Sequence, residues 1–338
     1  MLKKQNKNRM INVGLIGYGY WGPNIAKNLN KNPKINLKWI CDKNVESIEK
    51  AKSIYASQVN YSYDCSEIIN DPTLDAVAIA VETSSHYKLA KQALTMGKHV
   101  FVEKPFTSTV KEAIELDKLA KRLNLKIHVN HIMVYNSEIN KIKDLIDKNH
   151  IGDILYIDAM RMNLGQIRKD VSAMWDLALH DLVVIDHLTE GKEPYFISAI
   201  GEKYYNPKES VSFLTMRYKG FISHIQSSWI SPLKERKLII VGSKKMIIFD
   251  DLKIDGKLSI YNKGVKVISG KNIEYGNYEV KTHEGDVWSP YIQKEDSLYV
   301  SLDSFIKAIQ QDKQSRTGAD QAIRIQRILE KADKRMNK

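Results

Sequence analysis

Cysteine is scarce in this 338-residue chain: Cys41 and Cys65 are the two it has, too few for a disulfide framework or a four-ligand zinc site. Such thiol usage fits a reducing cytoplasm. Long apolar runs are missing as well, and nothing approaches the roughly 20 residues that a membrane-crossing helix requires. After the basic opening MLKKQNKNRM, Gly14, Gly17, Gly19 and Gly22 break the apolar stretch where the core of a signal peptide would stand, so neither export nor a membrane partner is expected. With 43% apolar and 27% charged residues, collagen-like and disordered chains are excluded. The net charge of +12 comes without any zinc-finger, homeodomain or RNA-binding aromatic pattern. Its lysines crowd the two ends or alternate with glutamate, as in KEAIELDKLAKRL, which is the habit of a solvated helix face rather than of a nucleic-acid partner. A mildly basic surface of this kind steers small anions.

What is present is a change of style near residue 128. Before it, short apolar runs alternate with helix-period segments: strands over 11–19, 36–42, 75–81, 99–104 and 125–131, helices over 22–32, 45–56, 86–97 and 110–124. This alternation predicts a doubly wound parallel sheet, an α/β domain over 1–127. After it come a helix over 137–149, an alternating strand over 153–164 and an apolar helical stretch over 174–189. A long strand-like tract follows from 195 to 270, and two closing helices over 297–311 and 318–334. The spacing predicts an α+β domain over 128–338 with one large open mixed or antiparallel sheet, helices on one face. An open sheet face is a natural surface for a homodimer or homotetramer.

Three segments carry chemistry. Gly17-Tyr18-Gly19-Tyr20-Trp21-Gly22 lies directly between a strand and a helix marked by Pro23. In that context Gly17 permits a tight turn, Gly19 a close approach of backbone to a pyrophosphate, and Gly22 close packing of helix on strand, with Tyr20 and Trp21 on the loop. Asp42 stands 20 residues past Gly22, where a carboxylate would hold the adenosine ribose hydroxyls. It favours NAD over NADP, because it would repel a 2'-phosphate, although the neighbouring Lys43 softens that repulsion. Glu103-Lys104-Pro105 ends a strand of the same sheet, at the edge where ligands gather; an exposed ion pair on a loop is the plainer alternative. Asp176 and His180 lie four apart in MWDLALHDL, on one face of a helix. His180 has the pKa a general acid/base needs, and an Asp-His hydrogen bond without chemistry stands beside that reading. A metal site is not expected, since the HExxH arrangement is absent.

Together these segments resemble the Gfo/Idh/MocA family of nicotinamide-dependent sugar oxidoreductases. The resemblance runs from VGLIGYGYWGPNIAKNL through HYKLAKQALTMGKHVFVEKPFT to MWDLALHDL, nearly the whole chain. It implies that Lys104 hydrogen-bonds the reacting hydroxyl, that His180 is the acid/base and that Asp176 positions substrate or tunes the pair. It also implies that Thr83 and His86, in VETSSHYKLA, line the nicotinamide ribose, although relatives often carry Thr or Asn with Pro where this chain has Glu-Thr-Ser-Ser. YIDAMRMNLGQIRKD, VGSKKMIIFDD and GADQAIRIQRILEKA are similar to the nucleotide-sugar branch, in which Arg161, Asn163 and Arg168 would recognise a diphosphate and an N-acetyl group. The expected reaction is NAD-dependent oxidation of a secondary hydroxyl, at C3 of a UDP-N-acetylhexosamine. A keto-sugar reductase using NADPH, a free-sugar or inositol dehydrogenase, and an NAD-sensing module without turnover are the alternatives.

Overall fold

The first strands are buried on both faces, as a parallel sheet sandwiched between helices demands: INVGLI and AVAI expose almost nothing. The computed structural model describes residues 9–168, 171–268 and 279–336. In chain order, β1 (Ile11–Ile16), α1 (Gly22–Lys31), β2 (Ile35–Cys41), α2 (Val45–Tyr55), β3 (Asn60–Ser62), α3 (Cys65–Asn70), β4 (Ala76–Ile79), α4 (Thr83–Thr95), β5 (His99–Val102), α5 (Val110–Leu123) and β6 (Ile127–Val129) form an α/β unit. Its six strands run parallel in the order β3-β2-β1-β4-β5-β6, so the order reverses between β1 and β4. That switch point opens a crevice at the carboxyl edge. Local chemistry sets the helix ends. Asn44 caps α2 through the amides of Glu46 and Ser47, and Thr109 with Glu112 forms a reciprocal capping box on α5. Strand β3 and helix α3, short and mixed in polarity, are absent from the sequence-level pattern.

The second unit takes α6 (Ser137–Asp147), β7 (Ile154–Leu164), α7 (Leu179–Leu188), β8 (Phe196–Glu202), β9 (Val211–Tyr218), β10 (Phe221–Ser228), β11 (Ile230–Gly242), β12 (Met246–Asp250), β13 (Leu258–Ile268) and β14 (Glu279–Trp288). These eight strands make one sheet, β14-β13-β12-β11-β7-β10-β9-β8, mixed because β10 runs parallel to β7 while the other pairs are antiparallel. The end of the tract expected as strand up to 270 is the single strand β13, with a register shift between Tyr261 and Lys263; residues 269 and 270 lie outside the described residues. Strand β14, whose sequence EVKTHEGDVW is polar, was not anticipated. Helix α7 is buried nearly all round, which its LVVI run requires. On the other face of the sheet Ile200 stands opposite Phe213, and Ile222 opposite Tyr156, all four exposed.

Two helices close the chain, α8 (Ser297–Gln310) and α9 (Ala319–Met336). The stretch Glu295–Arg327 belongs to the first unit, and residues from Ile328 on belong to the second. Leu298, Leu302, Phe305, Ile306 and Ile309 of α8 complete the core formed by α1, α2, β1 and β2, while Ala319, Ala322 and Ile323 of α9 join the core of α4 and α5. A helix apolar on one face folds back to wherever an uncovered core remains. Among the described residues no helix is long and apolar enough to cross a membrane.

Candidate functional site

In the first unit the glycine loop follows β1. Gly17 has φ of +99°, and a Cβ there would lie 2.2 Å from the Ala80 carbonyl oxygen; one at Gly22 would lie 2.4 Å from the carbonyl oxygen of Gly17. Both positions therefore exclude any larger side chain. At Gly19 a Cβ would meet nothing within 4 Å, so the backbone there is bare toward a ligand. Tyr20 is 96% exposed and stacks on Trp21, the residue that precedes α1. Asp42, just past β2, is tied to the loop: one carboxylate oxygen accepts the Tyr18 amide at 2.6 Å and the other the Asn44 amide at 2.8 Å. An ionised carboxylate has about four lone-pair positions, so capacity for ribose hydroxyls remains. The cradle thus fits a dinucleotide: an open backbone, a helix start and a carboxylate at one sheet edge.

Lys104 and Glu103 leave β5 at that same edge. Glu103 accepts from the Asn130 side-chain amide at 2.6 Å and from the Lys104 backbone amide at 3.2 Å. Burial pushes its carboxyl up from the ordinary glutamate range, and the bonds from Asn130 and the charge of Lys104 pull it back part of the way. The peptide from Lys104 to Pro105 is cis. Thr83 begins α4, beyond the end of β4 and part-exposed. His86 differs from the expectation that it lines an open ribose site. Its ring is 1% exposed and spans two carbonyls, Nδ1 lying 2.8 Å from Pro105 O and Nε2 3.0 Å from Val81 O. Burial lowers its pKa although both carbonyls favour the charged form. The histidine braces the two loops that flank the edge, and neither ring nitrogen is left for a ligand.

In the second unit the segment carrying Asp176 and His180 is not a plain α-helix. Met174–Ala178 forms a π-turn ahead of α7, so the i to i+4 geometry of an α-helix does not hold across its first half. Asp176 is held on both oxygens, by Arg168 Nη1 at 3.3 Å and by the Trp229 indole Nε1 at 3.3 Å, and Trp175 donates to Asp333 at 2.6 Å. The π-turn is therefore pinned at its centre and on its neighbour. His180 is part-exposed in the first turn of α7. Arg161 departs from the expectation of substrate recognition. Only 8% exposed, it makes a two-bond pair with Asp181, Nε to Oδ2 at 3.1 Å and Nη2 to Oδ1 at 2.9 Å. A guanidinium turned inward onto a carboxylate of α7 anchors that helix to β7 rather than reading a diphosphate. Asn163, two residues on, shares its strand face and is part-exposed, as is Arg168.

Three residues that shape these groups went unseen in the sequence. Asn130 was legible in principle, since pairing Val102 with Val129 puts the next residues of β5 and β6 side by side. Asp181 sits one residue past His180. Trp229, 2% exposed in the turn from β10 to β11, has no signal beyond its size.

Residues 11–131 match the family model described as the Gfo/Idh/MocA oxidoreductase family, NAD-binding Rossmann fold, and residues 139–248 match the Gfo/Idh/MocA C-terminal domain. The chain is 32% identical over 165 residues to the oxidoreductase YdgJ of Escherichia coli (strain K12), covering 49% of this chain and 46% of that one, so the match spans about half the length of that relative. It is 26% identical over 238 residues, 70% of each chain, to the UDP-N-acetylglucosamine 3-dehydrogenase of Acidithiobacillus ferrooxidans. A solved structure of that enzyme, GnnA, superposes with a TM-score of 0.78 at 23% identity, covering 96% of this chain and 97% of the other; at that identity the likeness speaks for the fold.

Proposed function

From the premise that this chain belongs to the Gfo/Idh/MocA family of NAD-binding oxidoreductases, we propose that it oxidises a secondary hydroxyl, at C3, of a UDP-N-acetylhexosamine to a 3-keto nucleotide sugar. The observation that carries the reading is the common edge of the first unit, where the bare backbone at Gly19, the carboxylate of Asp42 and the Glu103-Lys104 pair follow the ends of β1, β2 and β5. NAD, when bound, supplies the acceptor for the hydride that leaves the carbinol carbon. Lys104 donates a hydrogen bond to the hydroxyl oxygen and stabilises its developing negative charge. His180 takes the hydroxyl proton as the general base. Asp176, fixed by Trp229 and Arg168, orients the substrate beside it. Thr83 lines the cofactor side, and Asn163 with Arg168 contacts the sugar nucleotide. Cytoplasmic residence and a dimer or tetramer built on the exposed face around Ile200 and Phe213 complete the reading.

A free-sugar or inositol dehydrogenase is the second reading, and the inward pairing of Arg161 with Asp181 favours it, because it removes one of the cations expected on the diphosphate. Absorbance of the reduced nicotinamide separates them, with purified protein, NAD or NADP, and a panel of sugar nucleotides, free sugars and inositols. Turnover of nucleotide sugars with NAD supports the first reading. Turnover confined to free sugars or inositols would replace it, and turnover of none would leave an NAD-binding module.

A further inference from the structure

Beneath Glu103 lies a line of buried polar groups, and with Glu103 as a carboxylate, which can only accept, their donors and acceptors all run in one direction. The Asn130 amide nitrogen donates to Glu103 at 2.6 Å, so its oxygen must accept, and it does, from the Ser301 hydroxyl at 3.0 Å. Ser301 has then spent its one proton. The His128 Nε2 nitrogen, 3.0 Å from Ser301 Oγ and 3.2 Å from Thr317 Oγ1, is therefore the protonated nitrogen, and Nδ1 accepts from the Ser315 hydroxyl at 2.8 Å. Burial keeps the His128 ring neutral by lowering its pKa to about 3, and Phe101 and Tyr135 stack on it at 5.2 and 5.7 Å. His128 and Ser301 are fully buried, Asn130 is 2% exposed, and Ser315 is part-exposed in the turn after α8. All these residues belong to the first unit.

We propose that Asn130, Ser301 and His128 are positioning residues, a one-way chain of hydrogen bonds that favours the charged form of Glu103 beside Lys104. The inference rests on the reading of the Glu103-Lys104 edge as the cofactor site and deepens it. Each donor along the line points toward the carboxylate, and hydrogen bonds in series polarise one another, so the far hydroxyl contributes to the stability of the charge at the near end. Acting on Glu103 are Lys104 on its own strand end, the Trp21 indole ahead of α1 and the Asn130 amide after β6, and of these three Lys104 carries the charge. Burial alone would favour the neutral acid, which would leave Lys104 without its neighbouring counter-charge. The chain opposes that, and it also stops the Asn130 amide from turning its oxygen toward the carboxylate.

The test is an NMR titration of isotope-labelled glutamate carboxyls in the full chain, with the Glu103 signal assigned by its loss in Glu103→Gln. In Ser301→Ala the chain is cut while Asn130 remains; the Glu103 midpoint should rise by about half to one pH unit, and Ser301→Thr, which keeps the hydroxyl, should bring it back to the parent value. Equal midpoints in the parent and Ser301→Ala would overturn the proposal. Should Ser301→Ala fail to fold by circular dichroism, Ser315→Ala at the part-exposed end takes its place with a smaller upward shift expected, and no shift there would overturn it equally. NAD turnover, measured on the same samples, reports separately. A parent protein that never reduces NAD removes the dehydrogenase reading, while the titration still decides the chain.

Discussion

Replacing Gly19 with alanine should separate the fold of the glycine loop from its ligand. The new Cβ meets no atom within 4 Å, and Gly19 is not among the glycines with positive φ, so folding has nothing to object to. A stability change within about 0.5 kcal/mol is expected, as for substitutions that disturb no contact. The same methyl stands where a pyrophosphate must come to reach the backbone amides. Losing a hydrogen bond to a charged group costs about 1.5–3 kcal/mol, so NAD affinity should fall by roughly ten- to a hundred-and-fifty-fold. Gly17→Ala is the counterpart. There the Cβ would lie 2.2 Å from a backbone oxygen at a φ of +99°, and the whole unit should lose about 2 kcal/mol or more. Thermal unfolding and NAD titration by fluorescence, run side by side on both variants, give the answer. NAD bound by Gly19→Ala as tightly as by the parent would refute the cradle, whatever the stability data show.

Arg161→Met should cost about 3–5 kcal/mol, because it strands the buried Asp181 carboxylate, and adding Asp181→Leu should recover most of that loss; a melting temperature unchanged in the single variant would return Arg161 to the substrate. Acid should weaken the first unit through His128. Its folded pKa, about 3, lies below the unfolded value near 6.5, so its stabilisation is whole above pH 6.5 and is lost as pH falls toward 3, by about 2 kcal/mol between pH 7 and pH 5. Urea unfolding at the two pH values should show that difference shrinking in His128→Gln, and an equal difference in the variant would contradict it.

Much of the fold was legible because parallel sheets and their helices write strong periodicities. Four strand-helix alternations of the first unit and the strand that follows them, its glycine loop and Asp42 all stand where the pattern put them. What escaped depends on long-range packing. The return of α8 to the core of α1 and β1 cannot be read from an amphipathic face that would serve either unit, and polar β14 is a strand because β13 offers it an edge. At the site, residue types were visible but their partners were not. Arg161 and His86 looked ready for a ligand, yet each is spent inward, one on Asp181 and the other on two carbonyls. The π-turn at Met174–Ala178 has no local signature in MWDLA; it accompanies the tethering of Asp176 to Trp229, more than fifty residues away in sequence.

The central claim is tested most directly by following the hydrogen itself. UDP-N-acetylglucosamine carrying deuterium at C3, incubated with the protein and NAD, should yield reduced nicotinamide bearing one deuterium per turnover by mass spectrometry, with a matching slowing of the hydride step. Reduced cofactor without the label, or no reduction while a free sugar is oxidised, would contradict the account.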